Sequence, residues 1–165
     1  MVGKVIVEMS IINYGHIKLE LDADNAPISV TNFVGLINDG FYTNKTFHRI
    51  IKGFMIQGGS SDGRGFEGSD KMIKGEFSSN GIANTISHVR GTISMARSSD
   101  PNSASSQFFI VHQDSRFLDG NYAAFGKVIE GMDVVDKIAE TANPIDNNGT
   151  IPPQEQPIIE YIKVI

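Results

Sequence analysis

Residues 47–59 read FHRIIKGFMIQGG. Two apolar runs flank Lys52-Gly53, a pair suited to a turn, so the stretch is expected to form two strands. Side chains alternate between the faces of a strand. In the first run Phe47, Arg49 and Ile51 then share one face, with His48 and Ile50 on the other. In the second, Met55 and Gln57 point one way and Phe54 and Ile56 the other. An arginine among apolar neighbours is costly to bury without a partner. Arg49 is therefore expected on an open, partly apolar surface, and that surface is the candidate site.

Upstream, residues 4–9 and 16–21 read as strands joined through Asn13-Tyr14-Gly15. Pro27 suits the first turn of a helix. Val30, Phe33, Val34 and Ile37 follow at helical spacing, and Gly40 is a natural stop. Downstream, residues 58–70 hold five glycines with almost no periodicity and are expected to form a long surface loop. A second irregular region covers residues 74–90. Thr92–Ala96, Gln107–Val111 and Ala124–Ile129 read as further strands. Met132–Ala142 carries a helical stripe that Asn143-Pro144 ends. The stretch 144–157 is turn-rich, and Pro157–Val164 reads as a last strand. About eight short strands and two separated helices predict a mainly β chain, a closed or nearly closed antiparallel barrel. No linker or repeat divides residues 1–165, so a single domain is expected.

Composition narrows the function. The 165 residues are 40% hydrophobic and 20% charged, ordinary values for a soluble globule. A net charge of −5 argues against a nucleic-acid or anionic-membrane partner. Without cysteine there is no disulfide framework, thiolate site or cysteine nucleophile. MVGKVIVEMSII lacks the apolar core of a signal peptide, so a cytoplasmic location is expected.

Parity also sorts residues 107–111. Gln107 and Phe109 share one face, while Phe108 and Ile110 form a wholly apolar one. Each of three strands thus has a face mixing amide or charge with apolar bulk. Those faces could combine into a groove lined by Arg49, Met55, Gln57, Gln107 and Phe109, or could be ordinary solvent-facing positions; strand order decides. Two short motif matches carry little. Residues 63–68, GRGFEG, fit a dinucleotide fingerprint, and Ser61 in GSSDG fits a nucleophile elbow. Both motifs require a helix that SDKMIKGEF does not supply. The four histidines show no paired metal-ligand spacing, so no metal is expected. His48 is expected inward as a hydrogen-bonded structural residue.

FHRIIKGFMIQGG, then RGTISMARSSDPNSASSQFFI, then FLDGNYAAFGKVIEGMDVV, closely resemble the cyclophilins, a family of peptidyl-prolyl cis/trans isomerases. The likeness spans essentially the whole chain and looks like that of a short bacterial member. It implies a closed eight-stranded antiparallel barrel with an α-helix at each end and a peptide groove outside it. By resemblance Arg49 matches the catalytic arginine, and Phe54, Met55, Phe109 and Leu118 match the pocket for the proline ring. Gln57, Ala96, Arg97 and Gln107 match positions contacting the peptide backbone or lining the adjacent groove. The family pattern also places Phe54 at the turn rather than inside the regular strand. Phe117 stands where many eukaryotic members have tryptophan, Tyr122 where they have histidine, and Arg97 where they have asparagine. Ser60 replaces a common aspartate. The tryptophan helps to bind cyclosporin, so the resemblance implies at most weak cyclosporin binding here.

The implied reaction needs no cofactor. Xaa-Pro rotation makes and breaks no bond; its barrier of about 18–20 kcal/mol comes from amide resonance. The expected partners are proline-containing peptides and flexible protein segments, with protein folding as the setting and a monomer as the default. A proline-peptide binding module or chaperone with incidental isomerase activity is the alternative. The intact Arg49 favours the enzyme, because binding alone needs only an apolar pocket and backbone donors.

Overall fold

A computed structural model describes residues 1–165. Eight strands run β1 Lys4–Ile11, β2 Gly15–Asp22, β3 Phe47–Ile51, β4 Met55–Gly58, β5 Thr92–Met95, β6 Phe108–Val111, β7 Ala124–Glu130 and β8 Ile159–Val164. Two α-helices, α1 Pro27–Asn38 and α2 Met132–Thr141, complete the regular structure, with three short 3₁₀ turns. Every strand expected from the sequence is present, with ends shifted by a residue or two. Residues 58–70 hold no helix, which removes the context that both short motif matches need.

The strands form one antiparallel sheet in the order β3-β4-β6-β5-β7-β2-β1-β8. It curls into an open half-barrel, so the expectation of a closed barrel is corrected. The two edges meet around the isolated bridge Thr46↔Ile158, where Phe47 N donates to Pro157 O, Ile159 N to Lys45 O and Asn44 N to Ile159 O. Beyond it the free edge of β3 is occupied by residues 149–151. Ile50 N donates to Gly149 O at 2.8 Å, and Ile151 N donates to His48 O at 3.0 Å. With these backbone groups already paired, β8 has no ladder to join.

Both helices place their apolar stripes on one core. Val30, Phe33, Val34 and Ile37 of α1 are buried, as are Val134, Val135 and Ile138 of α2. Ala26 provides no side-chain cap for α1. The buried Glu76 does so instead, accepting from Ile28 N at 3.1 Å and Ser29 N at 2.6 Å. A helix leaves its first N–H groups unpaired; here a carboxylate far along the chain takes two of them.

Cross-strand register sorts the faces. Ile50, Ile56, Ile110 and Ile93 lie in one row across β3, β4, β6 and β5, all buried in the core. The adjacent row is Arg49, Gln57, Phe109 and Ser94. Met55, Phe109, Val111 and Leu118 form a second, smaller apolar cluster. The sheet therefore has a greasy patch on its outer side as well as a core inside.

Phe47 does not share a face with Arg49. The register slips between them, Phe47 facing Gly58 and Arg49 facing Gln57, with His48 the extra residue of a β-bulge. The bulge turns Phe47 into the core beside Ile50 while leaving Arg49 outward. Gly58 makes room: a Cβ there would lie 2.7 Å from Thr46 O and 2.9 Å from the Phe47 ring.

Candidate active site

Arg49, Phe54, Met55, Gln57, Ala96, Arg97, Phe109, Leu118 and Tyr122 line a single cavity of about 130 Å³. Its floor is the second apolar cluster, with Ile51, Phe54, Ala96 and Tyr122 packed against it. Phe54 lies in the turn before β4 and so escapes strand parity, as the family pattern implied. Gln107 is one shell out: its Oε1 accepts from Gln57 Nε2 at 3.0 Å, and its Nε2 donates to Gly65 O at 3.0 Å. Phe117 is 73% exposed and stacks on Phe54, with centroids 5.6 Å apart.

Arg49 is half-buried and has no carboxylate partner. Its Nε donates to Asn148 O at 2.8 Å and its Nη1 to Gln57 Oε1 at 3.1 Å. Burial lowers the guanidinium from its ordinary value, while Tyr122 and Asp146 push the other way. Two neutral acceptors thus fix the plane of a cation whose charge is left available. Gln57 and Gln107 extend the same row, so the arginine is braced along the sheet.

The remaining walls are built by distant contacts. Arg97 stacks between Phe77 and Tyr122, 5.0 and 4.8 Å from their centroids, and its Nη2 donates to Asn121 O at 2.7 Å. Tyr122 in turn meets Phe109 edge-on at 5.9 Å. Under Phe109 lies buried His88, nearly parallel to it at 5.9 Å. His88 Nδ1 is 2.8 Å from Asp119 Oδ1, and Nε2 is 2.8 Å from Ser94 Oγ. The Asp119 carboxyl, held below its usual range, accepts from the ring, which leaves Nε2 to accept from the serine hydroxyl. Ser94 is fully buried, so this Ser-His-Asp row supports the floor and presents no nucleophile.

His48 corrects another expectation. It is buried, at 6% exposure, but its Nδ1 has no hydrogen-bond partner. The bulge presses its ring against Gly65, where a Cβ would come within 2.6 Å of Nε2. Burial pushes it down to about 4; Asp62 pulls the other way and Arg49 adds to the lowering.

Sequence reasoning missed the loop behind Arg49. Asp146 Oδ1 accepts from Asn148 N and Thr150 N, each at 3.0 Å, and this turn presents the Asn148 carbonyl to Arg49. Asp146-Asn147-Asn148-Gly149 is a legible turn signature, but nothing in it says which side chain the turn serves.

The family model for cyclophilin type peptidyl-prolyl cis-trans isomerase/CLD matches residues 6–164. The chain belongs to this family. A peptidyl-prolyl cis-trans isomerase of Acinetobacter baylyi is 50% identical over 148 residues, covering 83% of this chain and 73% of that protein. Peptidyl-prolyl cis-trans isomerase B of Escherichia coli is 41% identical over 161 residues, covering 92% and 95%. Among solved structures, a Cryptosporidium parvum cyclophilin type isomerase in the presence of the dipeptide Ala-Pro superposes with a TM-score of 0.85. It is 32% identical, with 97% of this chain and 98% of that one covered. As a cyclophilin, the chain is an isomerase that requires no cofactor.

Proposed function

We propose that the proline ring of an Xaa-Pro segment occupies the cavity floored by Met55, Phe109 and Leu118, and that Arg49 catalyses rotation of its peptide bond. The braced arginine carries this reading: Asn148 O and Gln57 Oε1 hold one edge of the guanidinium, and Nη2 makes no bond within the chain. Twisting the bond pyramidalises the proline nitrogen and localises its lone pair. A guanidinium N–H donates to that nitrogen better in the twisted state than in the planar one. This is stabilisation of the transition state over the ground state. The apolar floor anchors the ring while the preceding carbonyl swings; Gln57 offers its second amide N–H to the peptide backbone, and Gln107 holds that amide in place. Lowering the barrier by about 7 kcal/mol accelerates exchange roughly 10⁵-fold.

The substrates on this reading are exposed Xaa-Pro segments of peptides and of folding or flexible proteins. Cyclosporin binding is expected to be weak, because the Phe117 ring lacks the N–H donor of a tryptophan. We further propose a monomeric, cytoplasmic protein; gel filtration tests the first and cell fractionation the second. The central experiment is isomerisation of a short Ala-Pro peptide by the wild type beside Arg49→Ala. Equal rates would overturn the role given to Arg49.

A further inference from the structure

A second cavity, of about 690 Å³, lies on the other side of Arg49 and Gln57, which line both. One wall is the glycine loop at residues 63–66, and the other is formed by residues 145–156. Gln156 ties the walls together: its Nε2 donates to Gly63 O at 2.8 Å and to Ile151 O at 2.9 Å. The cavity is therefore built into the fold rather than left between loose loops.

Its charge is opposite to that of the chain. The protein carries −5, yet the lining includes Arg49 and Arg64 and no aspartate, glutamate or lysine. Four carboxylates, Asp62, Glu67, Asp146 and Glu155, flank lining residues in sequence, and none of them lines the cavity. Asp62 is 4.0 Å from Arg64 Nε, and Asp146 acts on Arg49 from the loop where its Oδ1 is already bound to two backbone N–H groups. The Arg64 side chain remains 68% exposed, resting over the Phe66 ring at 5.6 Å. His48, which also lines the cavity, is more than nine-tenths buried with an unpartnered Nδ1. Phe66 and Ile145, both largely exposed, give the rim an apolar character.

We infer that this cavity is a specificity subsite for a carboxylate-bearing residue, glutamate or aspartate, flanking the proline of a peptide held in the smaller cavity, with Arg64 as its recognising cation. A peptide leaving the proline pocket past Arg49 and Gln57 enters this cavity directly. An arginine offers a carboxylate a planar pair of donors that a neutral side chain cannot exploit. The inference rests on the proposed placement of proline beside Arg49.

The test uses alanine-rich peptides around one Ala-Pro unit, with a glutamate or a lysine placed in turn at each of three positions before and after the proline. Isomerisation kcat/KM is measured for the full chain and for Arg64→Glu and Arg64→Gln. The expected result is a glutamate-over-lysine preference of about tenfold at one position or two neighbouring ones, on the scale of one charge-assisted hydrogen bond. At that position Arg64→Gln brings the ratio near one and Arg64→Glu inverts it. A ratio within about twofold everywhere overturns the subsite. So does a uniform preference at all six positions that salt abolishes, which is the mark of long-range attraction alone, and so does a preference that survives both variants. The all-alanine peptide separates the two readings. If Arg49→Ala isomerises it as fast as the wild type, the placement beside Arg49 fails and the subsite with it; if only the glutamate series is flat, the subsite alone fails.

Discussion

Arg49 Nε donates to the Asn148 carbonyl at 2.8 Å, across 99 residues of sequence. That bond, with the one from Nη1 to Gln57, orients the guanidinium without any carboxylate bonding to it. Such bracing by neutral acceptors suits a cation whose task is to donate to a weakly basic nitrogen only as that nitrogen develops its lone pair.

Arg49→Ala is expected to lower kcat by about 10²–10³-fold, the usual loss on removing a donor aimed at a transition state. Peptide affinity should change far less, because the apolar floor remains. Arg49→Lys should recover little, since an ammonium cannot bond Asn148 O and Gln57 Oε1 in the same plane. Exchange spectroscopy on an Ala-Pro peptide, with affinity taken from shift titration, separates the two parameters.

Asp146→Ala should slow catalysis several-fold, chiefly through the loop. It removes the acceptor for Asn148 N and Thr150 N and so releases the carbonyl that holds Arg49. Asp146→Asn keeps an acceptor oxygen and should restore most of the rate. Gly149→Ala should be harsher: the residue sits at φ +84°, and a Cβ would lie 2.6 Å from Ile51 Cγ1 and 2.7 Å from Ile50 O. The measurement is kcat against KM for the three variants, with melting temperatures alongside.

Neighbouring phenylalanines should separate stability from binding. Phe108 packs edge-on against Phe33, Tyr42 and Phe47 inside the core. Phe108→Ala should cost about 3–5 kcal/mol of stability. Phe109 belongs to the outer cluster. Phe109→Ala should remove the pocket floor and raise KM sharply. Urea unfolding and peptide titration on both variants check the contrast.

Activity should be flat between pH 6 and 8, because the arginine stays charged throughout. Stability should not be flat at lower pH. Burial keeps His48 neutral in the fold down to about 4, whereas an unfolded histidine takes its proton near 6.5. Between those values the unfolded chain binds more protons, so stability falls as pH drops from 6.5 towards 4, by about 3 kcal/mol for this group. His88 is lowered too and acts in the same direction. The depressed Asp119 and Asp136 add a further loss at more acidic pH, as they take up protons. His48→Gln should flatten the upper part of the profile, read as melting temperature against pH.

Glu76→Gln tests the helix cap supplied from a distance. The buried carboxylate accepts Ile28 N and Ser29 N at the start of α1. Replacing it with an amide puts an N–H₂ where one acceptor stood and should destabilise the fold by about 1–3 kcal/mol. Thermal unfolding measures it, and activity per folded molecule should be unaffected.

The sequence by itself determined the elements and most of the site's composition. Alternation in MIQ and QFFIV separated pocket from core, and helical spacing after Pro27 located α1. These signals are local: a period of two or of 3.6 residues follows from backbone geometry alone. Family resemblance added Ala96, Arg97, Leu118 and Tyr122, which no periodicity would have singled out, and moved Phe54 from the face where parity had put it to the turn beside the pocket. Tertiary structure alone decided the rest. Parity failed at Phe47 because a bulge at His48 inserts one residue, and the room for it comes from Gly58 on the neighbouring strand. The half-barrel stays open because residues 149–151 occupy the edge that closure would need. Arg49 finds Asn148, and α1 finds Glu76, through contacts between distant parts of the chain whose pairing no local pattern encodes. Local chemistry chose the residues; long-range hydrogen bonding, satisfied one buried group at a time, chose their neighbours.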